Sequence, residues 1–184
     1  MKYYRIKIGD VERDLPICPL NENLQIAGFV IVGDPELSEA CADELIKKLP
    51  EFDYIMTAEA KGIPLAHDIM RKLGNKRYVC ARKAPKLYMQ GHIEVSVQSI
   101  TTRGIQKLYL DKAEADMVRG KRLLIVDDVI STGESVHALE VLAEEAGALV
   151  CGKAAILAEG DAADRDDIIY LQKLPLFDAE GKEI

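Results

Sequence analysis

Arg122-Leu-Leu-Ile-Val-Asp-Asp-Val-Ile-Ser-Thr-Gly-Glu-Ser135 is where the fold of this 184-residue chain can be read. Residues 122–126 are mostly aliphatic with no polar alternation, the pattern of a strand buried on both faces of a parallel sheet. Two carboxylates, Asp127 and Asp128, stand where that strand is expected to end, and a turn of small residues follows: Ser131, Thr132, Gly133 and Ser135. Val136, Leu139, Val141, Leu142 and Ala146 then continue at roughly helical spacing until Gly147 stops the run. A strand, an acidic pair, a hydroxyl–glycine turn and a helix N-terminus form a ligand-binding edge of an open α/β sheet. The free N–H groups of the turn suit a phosphate, whereas the carboxylates suit sugar hydroxyls or a metal-bound water. The plainer alternative is a strand end whose acids are solvated or cap the next helix.

Upstream the same grammar repeats. A strand at 54–58 runs into Glu59-Ala60-Lys61-Gly62, a tight turn ahead of a helix at 63–73 that carries Pro64 in its first turn. A strand at 78–81 is followed by the cations Arg82 and Lys83. Before these, 3–8 reads as a strand, Pro16 and Pro19 break the next segment into an irregular one, and 35–49 reads as a helix closed by Pro50. Residues 86–110 are rich in hydroxyls, glycines and charges, with loose alternation at 92–97 and 104–110, and read as a long mobile hairpin. After the signature come a strand at 149–157, a polar turn at 161–167, and short strands at 168–171 and 174–177. This order describes a single α/β domain with a doubly wound, mostly parallel sheet.

Composition narrows the function. Hydrophobic residues make up 48% and charged residues 30%, ordinary for a soluble globular protein. Acidic residues outnumber basic ones 31 to 24 and the pI is near 5.1, which disfavours non-specific nucleic-acid binding. Cys18, Cys41, Cys80 and Cys151 lie far apart without a CxxC pair, so zinc and redox motifs lack support. The N-terminus has no apolar signal core and no segment reaches membrane-spanning length, so a cytoplasmic protein without membrane or nucleic-acid partners is expected.

The stretch at 122–135 resembles the signature of type I phosphoribosyltransferases, which bind phosphoribosyl pyrophosphate (PRPP). The resemblance implies that Asp127 and Asp128 hold the ribose 2′- and 3′-hydroxyls, and that Ser131, Thr132, Gly133, Glu134 and Ser135 wrap the 5′-phosphate. Glu59, Ala60, Lys61 and Gly62 are similar to the pyrophosphate turn of adenine phosphoribosyltransferases, with Ala60–Lys61 the peptide bond expected to be cis. Arg82 and Lys83 would face the pyrophosphate. With the acid pair they make up the expected catalytic set. The family fold implies an N-terminal hood at about 1–33 and a flexible hairpin lid at about 84–110, with Tyr88, Ser99, Thr101, Thr102, Arg103 and Lys107 as lid contacts. Glu94 is the nearest candidate for an acid–base group. Mg²⁺ would enter with PRPP, held mainly by substrate oxygens rather than by a protein cage. A homodimer is expected.

The base is read from three places. Hypoxanthine–guanine enzymes carry an aspartate where Ser131 stands, which argues against that class. The segment 15–21 resembles the hood that covers the base, with Leu20 and Asn21 as contacts, although a proline-rich loop packing on the core is an alternative. Xanthine enzymes have a lysine where this chain has Glu159; a carboxylate accepts hydrogen bonds from an amine and repels a 2-oxo purine. Adenine is therefore the favoured base, unless Glu159 simply opens the polar turn and points to solvent. The rivals are a PRPP-binding regulator without turnover and an enzyme for xanthine or another base. Residues 1–14 are too few for the winged helix that a purine-operon repressor carries ahead of its effector domain.

Overall fold

The aliphatic run at 122–126 takes the place its pattern demands, at the centre of a five-stranded parallel sheet. The computed structural model describes residues 2–74, 77–98 and 105–184. Its elements are β1 (Tyr3–Ile8), β2 (Val11–Pro19), β3 (Gln25–Ala27), α1 (Pro35–Ile46), β4 (Tyr54–Ala58), α2 (Ile63–Lys72) and β5 (Val79–Ala81). There follow β6 (His92–Gln98), β7 (Ile105–Asp111), α3 (Lys112–Val118), β8 (Arg122–Ile130), α4 (Glu134–Glu145), β9 (Leu149–Glu159), a 3₁₀ turn (Gly160–Asp164) and β10 (Ile169–Leu174). The central sheet has the order β10-β9-β8-β4-β5, all pairs parallel.

Side chains on β8 alternate between two cores. Leu124 and Val126 pack with α1, α2 and the N-terminal strands, whereas Leu123 and Ile125 pack with α3, α4 and the β6–β7 hairpin. All four are fully buried, each contributing about 1.5–3 kcal/mol of transfer free energy. Covering both faces in this way is the doubly wound arrangement expected from the sequence.

Several expectations need correction. The segment 11–19 is not irregular: it is β2, paired antiparallel to β1 as far as Pro16 and to β3 from Ile17 onward. Pro16 lacks an N–H but sits where β2 changes partners, and its carbonyl still accepts from the Gly28 N–H at 2.8 Å. The segment expected to form a hood thus contains a three-stranded sheet, β1-β2-β3. Helix α1 stops at Ile46 instead of 49: the Lys48 N–H donates to Leu45 O at 2.8 Å, tightening the last turn, and Pro50 keeps Leu49 out of helical geometry. The expected strands at 168–171 and 174–177 are one strand, β10, which Pro175 ends; Phe177 instead bridges Gln25 and Glu183. Helix α3 went unread, being only seven residues long.

The hairpin at 92–111 is also more firmly seated than its composition suggests. Leu108 and Leu110 are fully buried, Val95 is nearly so, and Tyr109 exchanges backbone hydrogen bonds with Arg82 at 2.8 Å. One face of each strand is apolar and packs on α4, so the described part of the expected lid is core on one side. Ser99, Thr101, Thr102 and Arg103 lie outside the described residues.

Candidate active site

β4 and β8 are hydrogen-bonded only as far as Met56 and Ile125, while β8 stays paired to β9 through Ile130. The chain leaves β4 towards β5 on one side, and leaves β8 towards β9 on the other. The two central strands therefore split at their C-terminal ends, at the point where strand order reverses and open α/β sheets bind ligands. The expected site residues fall around this crevice.

Asp127 and Asp128 do not end their strand, as expected, but ride on its extension along β9. Alternation turns Asp128 inward, where it is only 3% exposed. Its Oδ2 lies 2.9 Å from Lys61 Nζ as an ion pair, but off the geometry of a hydrogen bond, so this buried oxygen has no hydrogen-bond donor among the described residues. The Asp128 N–H donates to Asp127 Oδ1 at 2.8 Å. Burial, reinforced by the neighbouring Asp128 charge, pushes the Asp127 carboxyl up to about 7. Glu159 is half-buried at the end of β9; burial raises its pKa and the Lys61 charge opposes that rise. Lys61 thus answers to two of the site's carboxylates.

The turn after β4 is shaped by Gly62. A Cβ there would overlap Thr57 Oγ1 and stand 3.1 Å from the Val126 carbonyl and 3.3 Å from Asp127 Cα. Only glycine lets the turn's backbone enter the crevice beside the acid pair. Thr57, fully buried with no hydrogen-bond partner for its hydroxyl among the described residues, belongs to this contact and carries no motif that could have flagged it. The cis peptide bond is Glu59–Ala60 rather than Ala60–Lys61. Sheet pairing still holds the Glu59 N–H, which donates to Ala81 O at 3.0 Å.

Glu59 gathers the neighbouring cations. Its Oε1 accepts from Arg82 Nη1 at 3.0 Å and lies 3.7 Å from Lys86 Nζ, and its Oε2 accepts from the Lys83 N–H at 3.3 Å. Burial works to raise its pKa, but these donors and charges outweigh it and hold the carboxyl below its usual range. The Lys83 side chain is exposed.

At the far end of the crevice, Ser131, Thr132 and Ser135 are exposed, and Gly133 caps α4 in the left-handed region at φ +82. Glu134 opens the helix, its N–H 3.5 Å from Thr132 Oγ1. Helix starts of this kind present free N–H groups to an anion.

Of the expected base contacts, Glu159 borders the crevice beside Lys61, whereas Leu20 and Asn21 belong to a surface turn. Leu20 is 60% exposed at the β2–β3 turn, and Asn21 Oδ1 accepts from the Asn23 N–H at 2.9 Å, closing its own turn. Glu94 is paired with Lys107 across the hairpin at 2.6 Å. Tyr88 is exposed. Among the described residues no group of three or more His, Cys, Asp or Glu side chains is placed to hold a metal, and no helix is long and apolar enough to cross a membrane.

Residues 30–176 match the model of the phosphoribosyl transferase domain. A Methanosarcina mazei protein named hypoxanthine/guanine phosphoribosyltransferase is 33% identical over 130 residues, covering 70% of this chain and 64% of that protein. The match therefore spans slightly less than two thirds of that relative's length. A Methanotorris igneus protein of the same name is 32% identical over 158 residues, covering 85% of this chain and 78% of that protein. The solved adenine phosphoribosyltransferase of Thermoanaerobacter pseudethanolicus superposes with a TM-score of 0.69 at 22% identity, covering 86% of this chain and 95% of that one.

Proposed function

The chain belongs to the phosphoribosyl transferase domain family, and on that premise we propose that it is a purine phosphoribosyltransferase, moving the 5-phosphoribosyl group of PRPP to a purine nitrogen with release of pyrophosphate. The observation that carries this reading is the Asp128 carboxylate, buried at the switch point with an oxygen that accepts no hydrogen bond and a half-exposed lysine beside it. Buried acceptors in folded proteins are nearly always satisfied, and a sugar supplying hydroxyl donors satisfies this one.

In this reading the ribose hydroxyls donate to Asp127 and Asp128, and the 5′-phosphate accepts from the N–H groups of 131–135. The pyrophosphate draws Lys61 away from Asp128, and Arg82 and Lys86 away from Glu59, while the exposed Lys83 ammonium joins them from solvent. As the C1′–O bond to pyrophosphate breaks, positive charge develops on the ribose ring, and the two aspartates stabilise it electrostatically before the base nitrogen bonds to C1′ and its N–H proton passes to the released pyrophosphate or to water. The acid pair with its unsatisfied oxygen fits a divalent cation carried in by the substrate. Mg²⁺ would neutralise the departing pyrophosphate while the protein leaves most of its coordination to substrate oxygens and water.

The base is a purine presenting amine donors to Glu159. Adenine comes first on the sequence argument. Guanine, which also has donors on one edge, is the second reading because the relatives carry the name hypoxanthine/guanine phosphoribosyltransferase, against the expectation drawn from Ser131. A homodimer goes with the family resemblance, and sedimentation checks it.

The test is pyrophosphate release from PRPP with adenine, guanine, hypoxanthine and xanthine, using the Asp127→Asn/Asp128→Asn protein as control. Release with at least one purine, lost in the control, is expected. PRPP binding without release on any base would point to the PRPP-sensing regulator instead, and equal activity in the control would remove the acid pair from the mechanism.

A further inference from the structure

The residue that closes the 3₁₀ turn after β9, Arg165, reaches onto the phosphate loop. A Cβ on Gly133 would overlap Arg165 Nη1, so the guanidinium lies directly over this glycine of the turn. The side chain is fixed in that place. Arg165 Nε and Nη2 donate to the two oxygens of Asp167 at 2.8 and 2.7 Å, and Asp167 Oδ2 accepts from Lys153 Nζ at 2.6 Å. Lys153, 14% exposed, reaches back to Glu140 of α4 at 2.8 Å. The network thus runs from the loop through the β9–β10 connection and back into the helix that the loop begins. Asp167 is held well below the usual carboxylate range, first by Arg165 and then by Lys153. Both cations therefore stay bound to an ionised partner. Among the described residues Arg165 Nη1 donates to nothing. An open cavity of about 300 Å³ borders it, lined by Thr132, Gly133, Glu134, His137 and Arg165 among others.

We propose that Arg165 is a further phosphate-end residue of this site, which seats the Gly133 turn and sets an uncommitted guanidinium Nη1 donor beside the N–H groups that take the sugar's 5′-phosphate. The inference rests on the phosphoribosyl reading and adds to it a residue outside the signature, 30 or more positions downstream of the loop. A planar guanidinium with two of its nitrogens already committed to Asp167 loses little further freedom when the third meets a phosphate. Arginine is also preferred there because lysine cannot hold the same carboxylate bidentately.

Two anions separate the ends of the crevice. Ribose 5-phosphate probes the α4 end, and pyrophosphate probes the turn at 59–62. In Arg165→Ala, affinity for ribose 5-phosphate and for PRPP is expected to fall about tenfold, the size of one charge-assisted hydrogen bond, with pyrophosphate affinity unchanged. Arg165→Lys should recover part of the loss. Asp167→Asn, which frees the arginine without removing it, should fall between the wild type and Arg165→Ala. Unchanged ribose 5-phosphate binding in Arg165→Ala overturns the inference, and so does an equal loss for both anions, which would make the residue merely structural. If the wild-type protein binds neither anion nor PRPP, the phosphoribosyl reading itself fails and the inference falls with it.

Discussion

Asp127→Asn is expected to raise thermal stability above pH 7 while weakening PRPP binding, and both effects trace to the same buried charge. Burial and the adjacent Asp128 push the Asp127 carboxyl from its ordinary 3.8 to about 7. A carboxyl whose folded pKa lies above its unfolded value makes folding costlier once it ionises. The cost is absent below about pH 4, where both states hold the proton, grows as pH climbs, and is complete above about 7. At 1.36 kcal/mol per tenfold change, the full rise corresponds to roughly 4 kcal/mol. About half of that, ~2 kcal/mol, is assigned to the substitution, because the amide that replaces the carboxylate is a polar group desolvated in the same place. Asparagine keeps an oxygen for the Asp128 N–H, 2.8 Å away, so the local backbone is retained. For a chain of this length ~2 kcal/mol raises the melting temperature by roughly 4–8 °C. Calorimetry of both proteins at pH 4, 6 and 8 reads it: the gain should be largest at pH 8 and vanish at pH 4. No gain at pH 8, or the same gain at all three, would refute the claim that a desolvated ionised Asp127 is carried by the fold. In the same protein PRPP affinity should drop about ten- to a hundredfold, because an amide replaces a charged acceptor.

Other perturbations test the neighbouring contacts. Lys61→Met should lower the melting temperature at pH 8, where Asp127 is ionised, by an amount worth about 1 kcal/mol once solvent screening of the half-exposed lysine is counted, and should raise KM for PRPP. Gly62→Ala forces a methyl against Thr57 Oγ1 and the Val126 carbonyl, neither of which can withdraw, and should cost about 2–3 kcal/mol in urea unfolding; a neutral result would mean that the turn can leave the crevice freely. Glu159→Lys should reduce kcat/KM for adenine and guanine relative to xanthine by roughly ten- to a hundredfold, and unchanged ratios across the four bases would remove Glu159 from the base site.

Much of the fold was legible because the relevant signals are local. The uninterrupted run Leu123–Leu124–Ile125–Val126 can be satisfied only between two apolar layers, and the order of strands and helices leaves few topologies besides a doubly wound sheet. The acid pair, the Gly133 turn and the glycine of 59–62 were visible for the same reason: strand, turn and helix start are contiguous in the chain. The reading failed where long-range pairing decides. Pro16 reads as a breaker, yet it is harmless at the residue where β2 exchanges β1 for β3, a position defined only by its partners. The hairpin at 92–111 reads as loose because its polar face dominates the composition, but α4 supplies the apolar surface that buries Leu108 and Leu110. At the site, sequence alone could name Asp127, Asp128 and Lys61. It could not say that β8 outruns β4, that this split buries Asp128 with an unsatisfied oxygen opposite Lys61, or that Arg165 lies over Gly133. Residue types and their local spacing set which chemistry is available; the divergence of two strands and the return of a distant turn set which of those groups meet, because proximity between residues remote in sequence is created only by packing.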